Sequence, residues 1–355
     1  MMTDQKTTSG IPTSMRASVL SEPGSLSVRD VPVPQLDADQ VLVQISVVGV
    51  CGSDTHFYTD GHIGDLVVDG PLILGHESAG RIVAVGSAVS ADRIGQRVSI
   101  EPQTPCRVCN YCKEGRYNLC PNVEFYAAPP IDGAFAEYAV ITSDFAYDVP
   151  DSLSDKASAL IEPLSVAVFA GQTAKLTLGS TVFITGAGPI GILVTQVAKA
   201  FGATEIIVSD TVPQRREHAL RFGATRVIDP LAEDVGDLDL NVDVFIDASG
   251  APAAMKAGVH AVRPGGRIVY VGMGPDTIEL PIALIQMREI EVTGIYRYAN
   301  TWPLAIELAS SGAVDLDSLV TGEFGLDQVE EALLAAGSDP TALKSVVVPS
   351  LTAGR

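Results

Sequence analysis

Between Lys175 and Lys199 the chain carries no charged side chain. Within that stretch an apolar run, VFIT, gives way to GAGPIG and then to ILVTQVAKA, which predicts a buried strand, a tight turn and a helix opening at the turn. A membrane span is rejected here, because Gly179, Gly186, Gly188, Pro189 and Gly191 interrupt the apolar run at turn-forming intervals. Three later segments, EIIVSD, VDVFIDASG and GGRIVYVGMG, each run from apolar to small or acidic residues and predict further strands of one parallel sheet. The first half reads differently. After the polar start MMTDQKTTSGIPTSM, taken as a frayed tail before the strand MRASVL, come short strand-like runs separated by Gly and Pro. The start lacks the apolar core of a secretory signal, so no export is implied.

The 355 residues exceed one ordinary core and predict two domains. Hydrophobic residues make up 46% and charged ones 19%, the balance of a globular chain and not a disordered one. The formal net charge of -20 argues against nucleic acid or an anionic membrane surface as a partner, since both need clustered Lys and Arg.

Of the five cysteines, four stand at Cys106, Cys109, Cys112 and Cys120 with spacing C-x2-C-x2-C-x7-C. Four clustered thiolates suit a closed, tetrahedral, structural zinc site. Disulfides, which need an oxidising compartment, and an iron–sulfur cluster are the alternatives for the same residues.

That leaves Cys51, in GVCGSDTHFY, with LGHE following at residues 74–77. A catalytic zinc needs three protein ligands and an open position. Cys51 and His76 are two candidates; with no cysteine remaining, the third is a carboxylate, Glu77 or Glu162 in LIEPLSVA. Asp54 is placed to orient a ligating imidazole. Taken singly, each of these residues reads as ordinary core or loop chemistry, and only the combination carries the inference.

GAGPIG places Gly186, Gly188 and Gly191 in a G-x-G-x-x-G turn between strand and helix, with Asp210 at the end of the next strand, nineteen residues after Gly191. Such a turn lets a pyrophosphate approach the backbone at a helix N-terminus, and the acid can accept hydrogen bonds from an adenosine ribose. A carboxylate at 210 favours NAD over NADP, whereas Arg215 could serve a phosphate or stack on adenine.

With these motifs in order, the chain resembles the zinc-containing medium-chain dehydrogenases from about Met15 onward, and within them the sorbitol and xylitol dehydrogenases. The resemblance rests on GVCGSDTHFYTDGHIGDLV, LGHE, GRYNLCP, IEPLSVA, GAGPIG, RPGG and RYANTWPLAI. It implies an α/β protein: a GroES-like distorted β-barrel catalytic domain from residues 1–161 and 297–355, carrying a structural zinc lobe at 101–125, plus a doubly wound Rossmann NAD-binding domain at 162–296. It further implies a cytoplasmic homotetramer with two zinc ions per subunit. By position, Cys51, His76 and Glu77 match the catalytic zinc ligands, and Glu162 the residue that reaches the metal directly or through water. Pro189 and Ile190 in the glycine turn, and Val271, Gly272 and Met273, match cofactor contacts. Phe57, Phe125, Glu162, Arg297 and Tyr298 match residues around the polyol, with Phe57 a departure from the tyrosine of many relatives.

The expected reaction is oxidation of a secondary hydroxyl of a polyol to a ketose with hydride transfer to NAD, zinc acting as Lewis acid. Ser53 is assigned to take the released proton and His56 to carry it onward, against the plainer reading that both only satisfy loop hydrogen bonds. A threonine or butanediol dehydrogenase would keep the same metals and cofactor. A non-catalytic NAD-binding protein would be expected to have lost Cys51, Ser53, His56, His76, Glu77 or Glu162, and all are present.

Overall fold

The computed structural model describes residues 6–7, 10–339 and 341–351. The chain divides into two compact units, Met1–Glu162 with Leu316–Arg355, and Pro163–Asp315. The return to the first unit therefore comes at Leu316 and not at residue 297. The helix Trp302–Ser310 stays with the second unit, where Trp302 is fully buried with its ring 5.2 Å from that of Tyr298.

The second unit is built on a six-stranded sheet, every neighbouring pair parallel. Its order across the sheet is Arg226–Ile228, Glu205–Ser209, Thr181–Thr185, Val242–Asp247, Val262–Tyr270 and Glu291–Gly294. Sequence order thus reverses beside Thr181–Thr185, the switch point of a doubly wound sheet, and the glycine turn leaves from the carboxyl end of that strand. The two central strands each carry a buried apolar run, Val182, Phe183 and Ile184 in one and Val244, Phe245 and Ile246 in the other, as strands covered on both faces do. Phe183 and Phe245 are fully buried and stack with ring centroids 5.5 Å apart. On the helix Pro252–Ala261, Gly258 permits close approach to this layer, since a Cβ there would come within 2.1 Å of the Phe245 ring.

The first unit carries an eight-stranded sheet whose main path is Ala146–Asp148, Arg97–Ile100, Glu77–Val85, Gln40–Gly49, Lys344–Val347 and Val320–Phe324. The strand Tyr138–Thr142 also pairs with Gln40–Gly49. Both chain ends contribute, because Lys344–Val347 inserts antiparallel beside Gln40–Gly49 and parallel to Val320–Phe324. A three-stranded sheet of Ser25–Pro32, Ser14–Glu22 and Leu72–Ile73 packs into the same core through Ala17, Val19, Leu20 and Ile73. The polar start is not wholly a frayed tail: Lys6–Thr7 pairs antiparallel with Ala84 and Val85, while residues 1–5 and 8–9 lie outside the described residues. No helix among the described residues is long and apolar enough to cross a membrane.

Gly191 gives the fold a sharp test. A Cβ at this position would sit 1.8 Å from the Gly186 carbonyl oxygen, so strand, turn and helix close only around a bare α-carbon. Gly191→Ala should destabilise the second unit by about 1–3 kcal/mol through overpacking. Thermal unfolding reads this, and an unchanged midpoint would contradict the tight turn.

Candidate metal centres and cofactor site

The helix Gly52–Thr59 begins with Cys51 as its N-cap. Asp54 closes that end: its Oδ2 accepts the Cys51 backbone N–H at 3.0 Å and its Oδ1 accepts the Gly75 N–H at 3.0 Å. The same Oδ1 lies 3.5 Å from Nδ1 of His76, so one fully buried carboxylate fixes the two loops that carry Cys51 and His76. Burial alone would raise the Asp54 carboxyl, but the neighbouring imidazole and the two N–H donors outweigh it and hold it below the usual carboxylate range. Burial alone would likewise lower His76, yet Asp54 and Cys51 draw it well above the ordinary imidazole value. Positive charge is favoured at this point.

Glu77 joins them from the start of the strand Glu77–Val85. Donor atoms of Cys51, His76 and Glu77 all lie within 4.8 Å of one another. Glu162, in the first turn of the helix Ile161–Thr173, is buried but falls outside this group of three. The donor set fits a zinc ion on its chemistry: one sulfur, one imidazole nitrogen, one carboxylate oxygen. It also fits on its defects, because Oε2 of Glu77 is buried with no hydrogen-bond partner, and a Cβ on the facing Gly49 would come within 2.0 Å of that oxygen. An orphaned buried acceptor is costly unless something completes it.

The other four cysteines also converge within 4.8 Å. They are free thiols, with Cys109 and Cys112 sulfurs 3.4 Å apart, beyond a disulfide bond. Cys109 caps the short helix Asn110–Lys113, and backbone N–H donors from Val108 and Cys109 pull the Cys106 thiol down to about 6. Such a thiol is readily a thiolate, the form that binds metal. The lobe is closed at its base by pairing of Gln103–Thr104 with Glu124–Phe125, which brings the Phe125 ring 5.5 Å from His76. Beneath it, Oε1 of the fully buried Glu101 accepts from Gln103 Nε2 at 2.7 Å and from the Tyr117 hydroxyl at 2.9 Å.

In the second unit Gly186 has φ +87° and Gly188 is the N-cap of the helix Pro189–Ala200, leaving Gly188, Pro189 and Ile190 partly exposed at the turn. Asp210 is held more firmly than expected: its Oδ2 accepts the Ala187 N–H and its Oδ1 the Val212 N–H, both at 2.8 Å. The acid thus ties the next strand to the glycine turn, and each carboxylate oxygen keeps a lone pair able to accept a further hydrogen bond. Arg215 lies on the helix Pro213–Arg221 with Nε buried and unpartnered, whereas Arg216 is committed to the Asp210 carbonyl and to Asp229. The backbone N–H groups of Val271 and Gly272 both donate to the Asp247 carbonyl, and Met273 is 52% exposed.

Among the remaining candidates, Ser53 is half-buried one turn before the exposed His56, whose Nδ1 lies 3.0 Å from Oδ2 of Asp60. Phe57 sits in the hydrophobic core of the first unit, 4% exposed, so the tyrosine-to-phenylalanine departure removes a hydroxyl from a packed position. Arg297 and Tyr298 belong to the second unit, the guanidinium 4.9 Å above the Tyr296 ring and Tyr298 buried. Sequence reasoning missed Lys344, whose Nζ lies 2.5 Å from Oε1 of Glu77. It also missed Asp247, whose carboxylate accepts from Thr185, Ser249 and Gly250 at the switch point. No local spacing marks the first; the run VDVFIDASG pointed to the second without giving it a role.

Residues 37–151 match the family model described as the alcohol dehydrogenase GroES-like domain, and residues 189–311 that described as zinc-binding dehydrogenase. The chain is 45% identical to a sorbitol dehydrogenase of Bacillus subtilis strain 168, over 91% of this chain and 94% of that one. It is 42% identical to a D-xylulose reductase A of Aspergillus oryzae, over 85% of this chain and 88% of the relative. Among solved structures, the L-idonate 5-dehydrogenase of Escherichia coli K-12 superposes with a TM-score of 0.89 at 30% identity, covering 94% of this chain and 98% of that one.

The carboxyl beneath the cysteine lobe sets a pH dependence. Desolvation lifts Glu101 from 4.5 to about 7 despite its hydrogen-bond donors. The folded form therefore holds an extra proton between those values, and the stability it brings is complete below pH 4.5 and lost as pH rises through 7. Urea unfolding from about pH 5 to 8 should show a decline on the order of 3 kcal/mol that Glu101→Gln flattens. An identical slope in that variant would contradict the buried proton.

Proposed function

The chain belongs to the zinc-binding dehydrogenases, in their sorbitol and xylitol dehydrogenase branch, and on that premise we propose that it oxidises a secondary hydroxyl of a polyol to a ketose with NAD as hydride acceptor. The observation that carries this reading is the buried convergence of Cys51, His76 and Glu77, with Oε2 of Glu77 left unpartnered, in a chain 45% identical to a sorbitol dehydrogenase. When bound, zinc supplies Lewis acidity toward the hydroxyl oxygen and NAD supplies the site that takes up the hydride.

The chain's own residues do the rest. Cys51, His76 and Glu77 would hold the metal, and Asp54 orients the imidazole from behind, fixing which nitrogen faces the ion. Ser53 is half-buried and His56 exposed three residues on, so the two lie on one face of the helix and lead from the interior toward water. Ser53 takes the released proton and His56 passes it on, its ring oriented by Asp60 at Nδ1. Phe125, beside His76, walls the centre and excludes water. Glu162, buried near the charge of Lys344, is assigned to hydrogen-bond a further substrate hydroxyl or a water. Gly186, Gly188, Gly191, Asp210 and the segment Val271 to Met273 hold the cofactor, while Arg297 and Tyr298 carry over as substrate contacts on the resemblance. The four remaining cysteines hold a second, structural zinc. On the same resemblance the protein works as a homotetramer in the cytoplasm.

Two experiments test the reading. The zinc-loaded enzyme, assayed by NADH absorbance against xylitol, sorbitol, galactitol, ribitol, butane-2,3-diol, L-threonine and ethanol, should prefer one or more of the polyols. Activity confined to threonine or the diol would move it to a sister activity. Cys51→Ser should nearly abolish turnover while folding and NADH binding persist, whereas Cys106→Ser should lower thermal stability. Full turnover in the first variant, or unchanged stability in the second, would reverse the assignment of the two sites.

A further inference from the structure

The mechanism above leaves Lys344 without a task, yet its position is highly constrained. Its side chain is 5% exposed and its ammonium meets Glu77, which is 1% exposed, deep in the first unit. Burying a lysine charge is strongly disfavoured unless it is paired, and the charges that act on it here are Glu77, in contact, with Cys51 of the same proposed metal centre and the buried Glu162.

Three adjacent strands create the arrangement. Glu77 pairs directly with Gly49, and Gly49 pairs directly with Val346. Lys344 stands two residues before Val346 and so shares its face of the strand. The Glu77 side chain lies over Gly49, where any Cβ would collide with Oε2. One carboxylate oxygen is thus taken by the ammonium, and the other is buried, unpartnered and accommodated only because residue 49 has no side chain.

We propose that Lys344 is a positioning residue of the metal centre, which grips Oε1 of Glu77 and thereby presents Oε2, over Gly49, to the zinc ion that Cys51 and His76 hold. This rests on the reading of Cys51, His76 and Glu77 as the zinc ligands. Glu77 becomes a ligand with a fixed single oxygen, and the ammonium offsets part of the negative charge that thiolate and carboxylate bring into a buried place. A lysine serving only as a structural counter-ion would stabilise the fold without governing the metal's ligand sphere.

The test compares full-length wild type with Lys344→Met, Lys344→Arg and Gly49→Ala. It reads bound zinc after equilibration with graded chelator, and the visible spectrum after exchange of the same site with cobalt(II). The wild type should hold two zinc ions per chain, matching the two donor groups. Lys344→Met and Gly49→Ala should each release one of them about 10–100-fold more readily, with the cysteine-lobe ion retained. The cobalt bands should shift in both variants, and Lys344→Arg should recover most of the wild-type behaviour. Gly49→Ala keeps the lysine, so it reports on Oε2 even where Lys344→Met does not fold. Unchanged metal retention and cobalt spectra overturn the proposal, as does an effect confined to Lys344→Met, which would leave Oε2 without a role. A wild type that binds one zinc, or a Cys51→Ser variant that still binds two, overturns the underlying metal reading instead.

Discussion

Several acidic groups share one buried region of the first unit, and the local structure is organised around tolerating them. Asp54 and Glu77 are essentially inaccessible, and Cys51 is close by. Isolated buried anions are expensive, so each must be compensated by hydrogen bonds, by a cation, or by both. Asp54 receives two backbone N–H donors and the His76 ring. Glu77 receives the Lys344 ammonium at one oxygen and lacks any partner at the other. The acceptor left without a partner belongs to Glu77, one of the three residues whose thiol, imidazole and carboxylate converge, a donor set that suits a divalent cation.

The long-range strand pairing of the first unit serves this centre. Gln40–Gly49 lies between Glu77–Val85 and the C-terminal strand Lys344–Val347, so residues 267 positions apart meet as an ion pair. The cysteine lobe is tied into the same region. Its base pairs Gln103 with Phe125, which holds the Phe125 ring against His76, and its floor rests on the Glu101 carboxyl, which burial pushes up to about 7. A structural metal in the lobe would fix that base, and hence one wall of the catalytic centre.

The second unit solves a different problem with similar means. Its turn is free of side-chain bulk at Gly186, Gly188 and Gly191, the arrangement that lets a backbone approach a phosphate, and carboxylates restore order around it. Asp210 ties the turn to the following strand, and Asp247 gathers Thr185, Ser249 and Gly250 where the sheet reverses order. Asp210 is therefore part of the framework as well as a candidate for ribose recognition, which a reading of the motif alone does not reveal.

The sequence by itself determined the chemistry that local spacing encodes. Four cysteines within fifteen residues can only converge, and a strand, G-x-G-x-x-G turn, helix and terminal acid in order can fold in few ways. Counting cysteines also limited the third ligand to Glu77 or Glu162, because no thiol was left. Only the tertiary structure shows that a carboxylate oxygen of Glu77 lies beside the donor atoms of Cys51 and His76, with Glu162 outside that group. Likewise, only strand pairing could reveal that Gly49 clears space for Glu77 and that Lys344 reaches it, and only packing of the helix Gly52–Thr59 that Phe57 faces the core. The helix at Trp302 remained with the second unit for the same kind of reason, its ring buried against Tyr298. Local motifs are written in neighbouring residues. A buried ion pair between strands from opposite ends of the chain leaves no local mark, because the register that creates it is set by the whole sheet.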